Sequence, residues 1–481
     1  MKSLNSDDPV AAPPVFARRW WILAVYSLLA CLQGWQWAIP GGIASSLEAI
    51  YGEGVSDYVI QLLLAYGPIF YVFFALPSML LLNTANGLRL ATLCGLALVV
   101  AGAACRLAAT SSSTASIALL HVGFVLNAIA GPAAMGCVST LAEAYFPASQ
   151  RGLATAIAAE ANQAGSALSF LVGPAMVPNA SFSENFAYNA LFGALALATL
   201  LPCAVFFPSR PPRPPSHSAA TQHGTAGAHE LSLRGVAAAT ALLLRNRDFM
   251  AVALTYGFSN GMMSSWGNTF VLNLRTLNIG QATAGWISFA AIVVGNVGGL
   301  VVSGIADRFR CHRLIVLVAL YVSAVAFAWF ALVTQNVLPA AAETGSVALA
   351  QVAVAATIGG FCMNGVIPIF YELAVEATWP AVPESYTIML MTTLNNVGSL
   401  ALLFVPINAT TGPVFNWLFT GTVAFSAIGM TVFFRDKATR WKVDAGAPHQ
   451  LHGEEAIEDG GDEAQRALLL AADGDGDGAQ A

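Results

Sequence analysis

Charge is the scarcest property of this sequence. Asp, Glu, Lys and Arg make up only 10% of its 481 residues, where an ordinary soluble chain carries about a quarter. With 57% of the residues hydrophobic, a soluble globule of this size could not cover its surface. Lysine is scarcer still. Lys2, Lys437 and Lys442 are the whole set and none follows a Gly, which excludes a P-loop, whose phosphate cradle needs Gly-Lys-Ser/Thr. The seven cysteines, Cys31, Cys94, Cys105, Cys137, Cys203, Cys311 and Cys362, lie mostly inside apolar stretches without paired spacing. They read as small core residues rather than a disulfide or metal framework. No nucleophile, metal or phosphate-binding constellation stands out, so the chain is not expected to be an enzyme, to hold a metal or cofactor, or to bind nucleic acid. Asp473 to Gly478 imitates the start of a calcium loop, but Ala481 is reached before the required Glu; it reads as a solvated acidic tail. A cleavable signal peptide is not expected either, because Met1 to Ala17 is polar and the apolar run from Trp20 is long enough to span a bilayer.

What the sequence has is long apolar runs between short polar breaks. A helix of roughly 20 apolar residues crosses a hydrocarbon layer of about 30 Å, and in lipid it satisfies its own backbone. Spans are predicted at 20–43, 58–82, 88–109, 116–142, 151–177 and 187–207, then at 248–272, 282–305, 313–334, 346–371, 384–407 and 413–434. The basic residues test this ladder independently, because cytoplasmic loops collect Lys and Arg. With both termini inside, only Arg106 and Arg275 of the 20 Lys and Arg residues fall outside. A missed span would scramble that alternation. The two Asn-x-Ser/Thr sequons, Asn179 and Asn408, also land in outer loops. The chain thus divides into a cytoplasmic N-terminal segment (1–19), a six-helix bundle (20–207), a Pro-rich cytoplasmic linker (208–247), a second six-helix bundle (248–434) and a disordered acidic tail (435–481). The end of the linker, from Glu230 to Asn246, is a candidate short surface helix.

Polar residues inside such helices are the candidates for function. Glu160 is the most informative: helix five, counted from Arg151, carries it to a depth of roughly 13 Å. A carboxylate there must face a cavity, stay protonated, or both. It reads as a proton-coupling site, as the counter-charge of a cation, or as a neutral donor in one interhelical hydrogen bond. Gln163 lies one turn further along the same face. Helix one carries Gln33, Trp35, Gln36 and Trp37, whose indoles could stack on a flat or cationic solute or sit in the interfacial aromatic belt. Helix seven adds Asn260, Ser264 and Asn268 on one stripe, and helix eleven adds Asn395 and Asn396; such residues also serve as interhelical glue. His121, the one His inside a predicted span, is either a titrating group or a satisfied hydrogen-bond partner.

Between helices eight and nine, Gly304-Ile305-Ala306-Asp307-Arg308-Phe309-Arg310 resembles the G-x-x-x-D-R-x-x-R loop signature of the major facilitator superfamily. Glu372 and Glu376, neighbours one turn apart at the cytoplasmic end of helix ten, are its candidate partners. Glu143 and Arg151 form a partial echo in the first half. These charges read as gate latches between the halves, or as a positive-inside stop with solvated carboxylates.

Several stretches resemble solute carrier family 49, a major facilitator branch that includes the feline leukaemia virus subgroup C receptors and the disrupted-in-renal-carcinoma-2 protein. They are Arg18-Arg19-Trp20 leading to Trp37, Gly87-Leu88-Arg89, Asn127 with Gly131-Pro132, Ala154 to Ala158, Gly173-Pro174, and the run from Tyr371 to Glu384. The resemblance covers roughly residues 16–435. It implies an all-α membrane protein of major facilitator fold, with twelve transmembrane helices in two pseudo-symmetric bundles. It also implies carriage of a small organic solute: choline or ethanolamine, with haem also proposed, in the receptor branch, and proton-driven pyridoxine in lysosomes for the renal-carcinoma member. Trp37 matches the receptor branch's helix-one Trp that stacks on an ammonium, and Gln163 its helix-five Gln, while its helix-seven Tyr appears here as Ser264. The Gly131-Pro132 and Gly173-Pro174 pairs are closer to the renal-carcinoma member. The expectation is a monomeric carrier working by alternating access at the plasma membrane or a lysosome or vacuole. Trp37, Gln163, Asn396 and Ser264 would meet solute, Glu160 would hold the coupling proton, and Asp307, Arg308, Glu376, Glu143 and Arg151 would gate. The alternative is a non-transporting receptor or scaffold on the same fold.

Overall fold

The computed structural model describes residues 16–82, 84, 86–208, 211, 233–335, 337, 345–378, 381–382, 384–407 and 411–434. The first fifteen residues, most of the linker, the sequon at Asn408 and the acidic tail lie outside the described residues, as do the side chains of Glu143 and Asp307. The described elements are all helical. They are α1 (Arg19–Gly42), α2 (Ala44–Tyr51), α3 (Asp57–Leu82), α4 (Gly87–Ala108), α5 (Thr114–Gly136), α6 (Val138–Tyr145), α7 (Ala148–Met176) and α8 (Phe182–Phe206). The second half holds α9 (Leu233–Arg245), α10 (Arg247–Asn268), α11 (Phe270–Leu274), α12 (Gln281–Phe309), α13 (His312–Thr334), α14 (Gly345–Gly365), α15 (Ile367–Thr378), α16 (Glu384–Leu403) and α17 (Gly412–Phe433).

Ten of these helices are long and apolar enough to cross a membrane by length and composition. The two other long passages, α7 and α10, fall short because they carry the amides, hydroxyls and Glu160 noted above. Together they make twelve passages. Several boundaries shift by a few residues, and two of the shifts bear on candidate residues. Helix five starts at Ala148, three residues earlier than predicted, which puts Glu160 near the middle of a 29-residue helix. Helix eight runs on to Phe309, so Asp307 and Arg308 sit on its last turn rather than in a loop. Nothing between Gly304 and Phe309 breaks the helix; Arg310, in the left-handed region at φ 50°, ends it.

The two halves repeat one packing plan. Contact of α1 with α7 corresponds to that of α10 with α16, and contact of α4 with α5 to that of α13 with α14; α4 with α8 answers α13 with α17. Where α1 meets α7, a Cβ on Gly165 would strike the Cys31 carbonyl; where α10 meets α16, one on Gly398 would strike the Gly257 carbonyl. Small residues let backbones approach where lipid provides no hydrophobic drive for helix association. The helix interruptions repeat too: α1 breaks at Ile43 and α10 at Thr269, while α5 breaks at Cys137 and α14 gives way to α15 around Val366.

The halves meet through α7 against α12 and α3 against α16. One end of the bundle bears Arg18, Arg89, Arg151 and Arg308 and is here called the arginine-rich side. At the opposite end the halves are tied together. Gln61 Nε2 donates to the Val405 carbonyl at 2.8 Å, and the Ile407 N–H donates back to Gln61 Oε1 at 3.2 Å. Gln281 Nε2 donates to Ser46 Oγ at 2.8 Å and its Oε1 accepts from the Ser46 N–H at 3.1 Å. Toward the arginine-rich side, Tyr71, Ala75 and Met389 make a small separate cluster across the halves, with Tyr71 Oη 3.5 Å from Met389 Sδ.

Candidate substrate site

A cavity lies between the halves, lined from α1, α3, α5, α6 and α7 on one side and α10, α15 and α16 on the other. Its one acidic or basic residue, among those described, is Glu160. Glu160 Oε2 is buried and has no hydrogen-bond partner among the described residues. Gln163, one turn along α7, lines the same wall, as do Trp37, Ser264 and Asn396. The structure thus brings together the residues expected to meet solute with the one expected to carry the proton.

Trp37, Ser264 and Asn396 are held by identifiable contacts. Trp37 Nε1 donates to the Leu64 carbonyl at 2.9 Å, and the indole lies where Gly67 leaves room, since a Cβ there would strike the ring. Gln33 Oε1 accepts from Asn162 Nδ2 at 2.8 Å, which ties α1 to α7 at the cavity floor. Across the cavity, Asn395 Nδ2 donates to Asn260 Oδ1 at 3.4 Å and joins α16 to α10 in the related position. Ser264 Oγ and Asn396 Nδ2 each donate to a carbonyl one turn back, at Asn260 and Thr392, so their acceptor atoms face no intrahelical competitor.

Three aromatic residues of the lining escaped the sequence reading. Tyr71 comes from α3, Tyr256 from α10 and Tyr371 from α15. Tyr256 and Tyr371 share a hydrogen bond at 3.0 Å, with ring centroids 5.5 Å apart. A Tyr inside an apolar helix looks like core or belt, and only the three-dimensional arrangement shows which rings converge. With Trp37 they give the cavity four aromatic walls around one carboxylate.

Other candidates fall elsewhere. Trp35 is buried inside the first half, where its Nε1 donates to Tyr188 Oη at 2.8 Å. Asn268 sits one turn beyond Ser264 and donates to its carbonyl at 2.7 Å. His121 Nδ1 is 3.0 Å from Tyr66 Oη, the satisfied alternative of its two readings. Among the gating candidates, Arg308 is exposed with its guanidinium 6.0 Å from the Phe309 ring, Glu376 is half-buried on α15, and Arg151 Nε donates to the Phe146 carbonyl at 3.3 Å.

One ionic cluster between the halves was not anticipated. Arg275, in the turn after α11, lies 2.9 Å from Glu48 on α2 and 3.0 Å from Asp57 at the start of α3. The basic-residue count had marked Arg275 only as an outer exception.

The sequence model of the Major Facilitator Superfamily matches residues 26–406. A solute carrier family 49 member 4 homolog of Xenopus tropicalis is 32% identical over 451 residues, spanning 90% of this chain and 94% of the relative. The chain belongs to the Major Facilitator Superfamily and, within it, to solute carrier family 49. It is a membrane transporter of that superfamily. The choline/ethanolamine transporter FLVCR2 of Homo sapiens is 27% identical over 385 residues, covering 78% of this chain and 69% of that protein. Among solved structures, a D-xylose-proton symporter superposes with a TM-score of 0.66 at 15% identity, covering 86% of this chain and 97% of that one. A peptide transporter of the POT family superposes at 0.60 with 16% identity, covering 86% and 95%. At these identities the solved structures speak for the fold alone: two six-helix bundles around a central cavity.

Proposed function

We propose that this family 49 carrier moves a small vitamin- or amine-like organic solute by proton-coupled alternating access, with Glu160 holding the coupling proton. The observation that carries the reading is the unpartnered Glu160 oxygen in the cavity between the halves. A carboxylate in the membrane is costly unless it is neutralised by a proton or met by a cation, and among the described residues this one has no basic neighbour in the lining and no hydrogen bond to its buried Oε2. Its occupant therefore comes from solution.

The four aromatic residues and the amides of Gln163, Asn395 and Asn396 fit a flat or cationic solute with a few hydrogen-bonding groups. Choline, ethanolamine and pyridoxine all answer that description, and the human relative is a choline/ethanolamine transporter. Haem fits less well, because its two carboxylates would face the one acid of the cavity.

The arginine-rich side is the cytoplasmic one in this reading, by the positive-inside rule. The tied end, where Gln61 meets Val405 and Arg275 meets Glu48, is then the outer one, with both termini and the linker 208–247 in the cytoplasm. The bundles 20–207 and 248–434 rock about the cavity within a monomer, in the plasma membrane or a lysosomal or vacuolar one. Asp307, Arg308 and Glu376, with Glu143 and Arg151, form the inner latch when the cytoplasmic ends close.

The test is uptake of labelled choline and pyridoxine into vesicles bearing the carrier, at outer pH 5.5 and 7.5. Acid-stimulated uptake that Glu160→Gln removes supports the reading; uptake equal at both pH values in wild type and variant would refute the coupling.

A further inference from the structure

The ionic cluster that closes the outer end holds an uneven number of charges. Glu48 and Asp57, both of the first half, bind the same guanidinium nitrogen of Arg275, at 2.9 and 3.0 Å, and Arg275 Nη2 donates to Ser45 Oγ at 3.1 Å. Two carboxylates on one cation leave a net negative charge in a half-buried pocket. Like charges that close disfavour each other's ionisation, so such a pair readily shares a proton. Glu48 also has an oxygen, Oε1, that is buried without a hydrogen-bond partner among the described residues. Among the described residues the surroundings offer no other neutralising group. Helix α2 carries no second acid or base, the turn after it contributes only the exposed Glu53, and α3 contributes Asp57. The ends of α1 and α11 packed here carry none, and Ser46 and Gln281 are neutral.

Building on the transport reading and the sidedness just given, we propose that Glu48 is a gating residue operated by protons from the outer solution: protonated, it lets the outer latch close; ionised, it drives the latch apart. The neutral acid can donate to Asp57 while Arg275 keeps its ion pair with Asp57. The ionised acid restores the unbalanced charge, which opening relieves by exposing both carboxylates of the first half to water. Burial, and next the hydrogen bond with Asp57, push the Glu48 carboxyl up to about 7, against the downward pull of Arg275. In the open state it returns toward the ordinary glutamate value of about 4.3. The closed state thus binds the proton more tightly. Its advantage is fully present below the open-state value and is lost as pH rises through about 7. This site acts on the gate alone and is separate from Glu160, since a closed latch denies Glu48 a route to the inside.

The experiment measures the outer opening without any solute. Labels at Ser112→Cys and Val337→Cys, on outer segments of the two halves, report their separation in full-length carrier in nanodiscs, on a background with the native cysteines replaced. The expected result is a ratio of short to long distances that rises at least about fivefold from pH 7.5 to 5.5. Glu48→Gln should hold the short distance at both pH values, and Arg275→Gln the long one, so that opposite shifts exclude simple misfolding. A pH response that survives in Glu48→Gln, or that is absent from the parent, overturns the proposal. Either failure leaves the uptake test of Glu160 standing, because no transport is measured here.

Discussion

Trp37 uses its one donor on the Leu64 carbonyl, so what remains for a solute is the ring itself. A cation over an indole is worth about 1–2 kcal/mol when desolvated, and 1.4 kcal/mol corresponds to about tenfold in affinity. Trp37→Ala is therefore expected to raise the half-saturating solute concentration about tenfold, while Trp37→Phe, which keeps an aromatic face, recovers part of the loss. Concentration dependence of uptake checks this; equal effects of the two substitutions would mean that Trp37 only packs. At this scale the sequence spoke clearly wherever a polar side chain interrupted an apolar helix, as with Glu160, Gln163, Ser264 and Asn396. It was silent on Tyr71, Tyr256 and Tyr371, whose apolar rings break no pattern. It was silent too on Glu48 and Asp57, acids in an outer segment where acids are ordinary. Arg275 alone betrayed that cluster, as a basic residue on the wrong side.

Helix length and position follow from hydropathy, and the spans were legible for that reason. The two least apolar passages, α7 and α10, were recognisable because the alternation of basic loops demanded them. The interruption around Val366 is marked in the sequence by Gly365 and Pro368, since Pro removes a helical hydrogen bond; those at Ile43 and Thr269 have no Pro or Gly at the break itself and emerge only from the structure. One element-scale contact bears directly on how the halves close. Gly41, near the end of α1, lies against the other half so closely that a Cβ would run into the Asn268 carbonyl of α10. Gly41→Val should therefore wedge the outer ends apart and lower the outer-closed population. Distance measurements between the halves, taken at fixed pH, read this directly. An unchanged distribution would mean that the wedge is absorbed within one bundle.

At the scale of the whole molecule, the count of spans and their division into two halves were legible, because both rest on apolar length and basic loops. Which end is shut was not, since that depends on pairings such as Gln61 with Val405 and Arg275 with Glu48, made between residues hundreds of positions apart. The structure is a single state of a cycle in which the same cavity must open to either side, and the account requires Glu160 to link proton movement to that cycle. The most direct measurement compares net proton-driven uptake with solute exchange at zero gradient in vesicles, for the wild-type carrier and Glu160→Gln. Net uptake in the variant is expected to fall by at least about tenfold, as when a group used in the coupled step alone is lost, while exchange persists. Net proton-driven uptake that survives in Glu160→Gln would contradict the coupling role of Glu160.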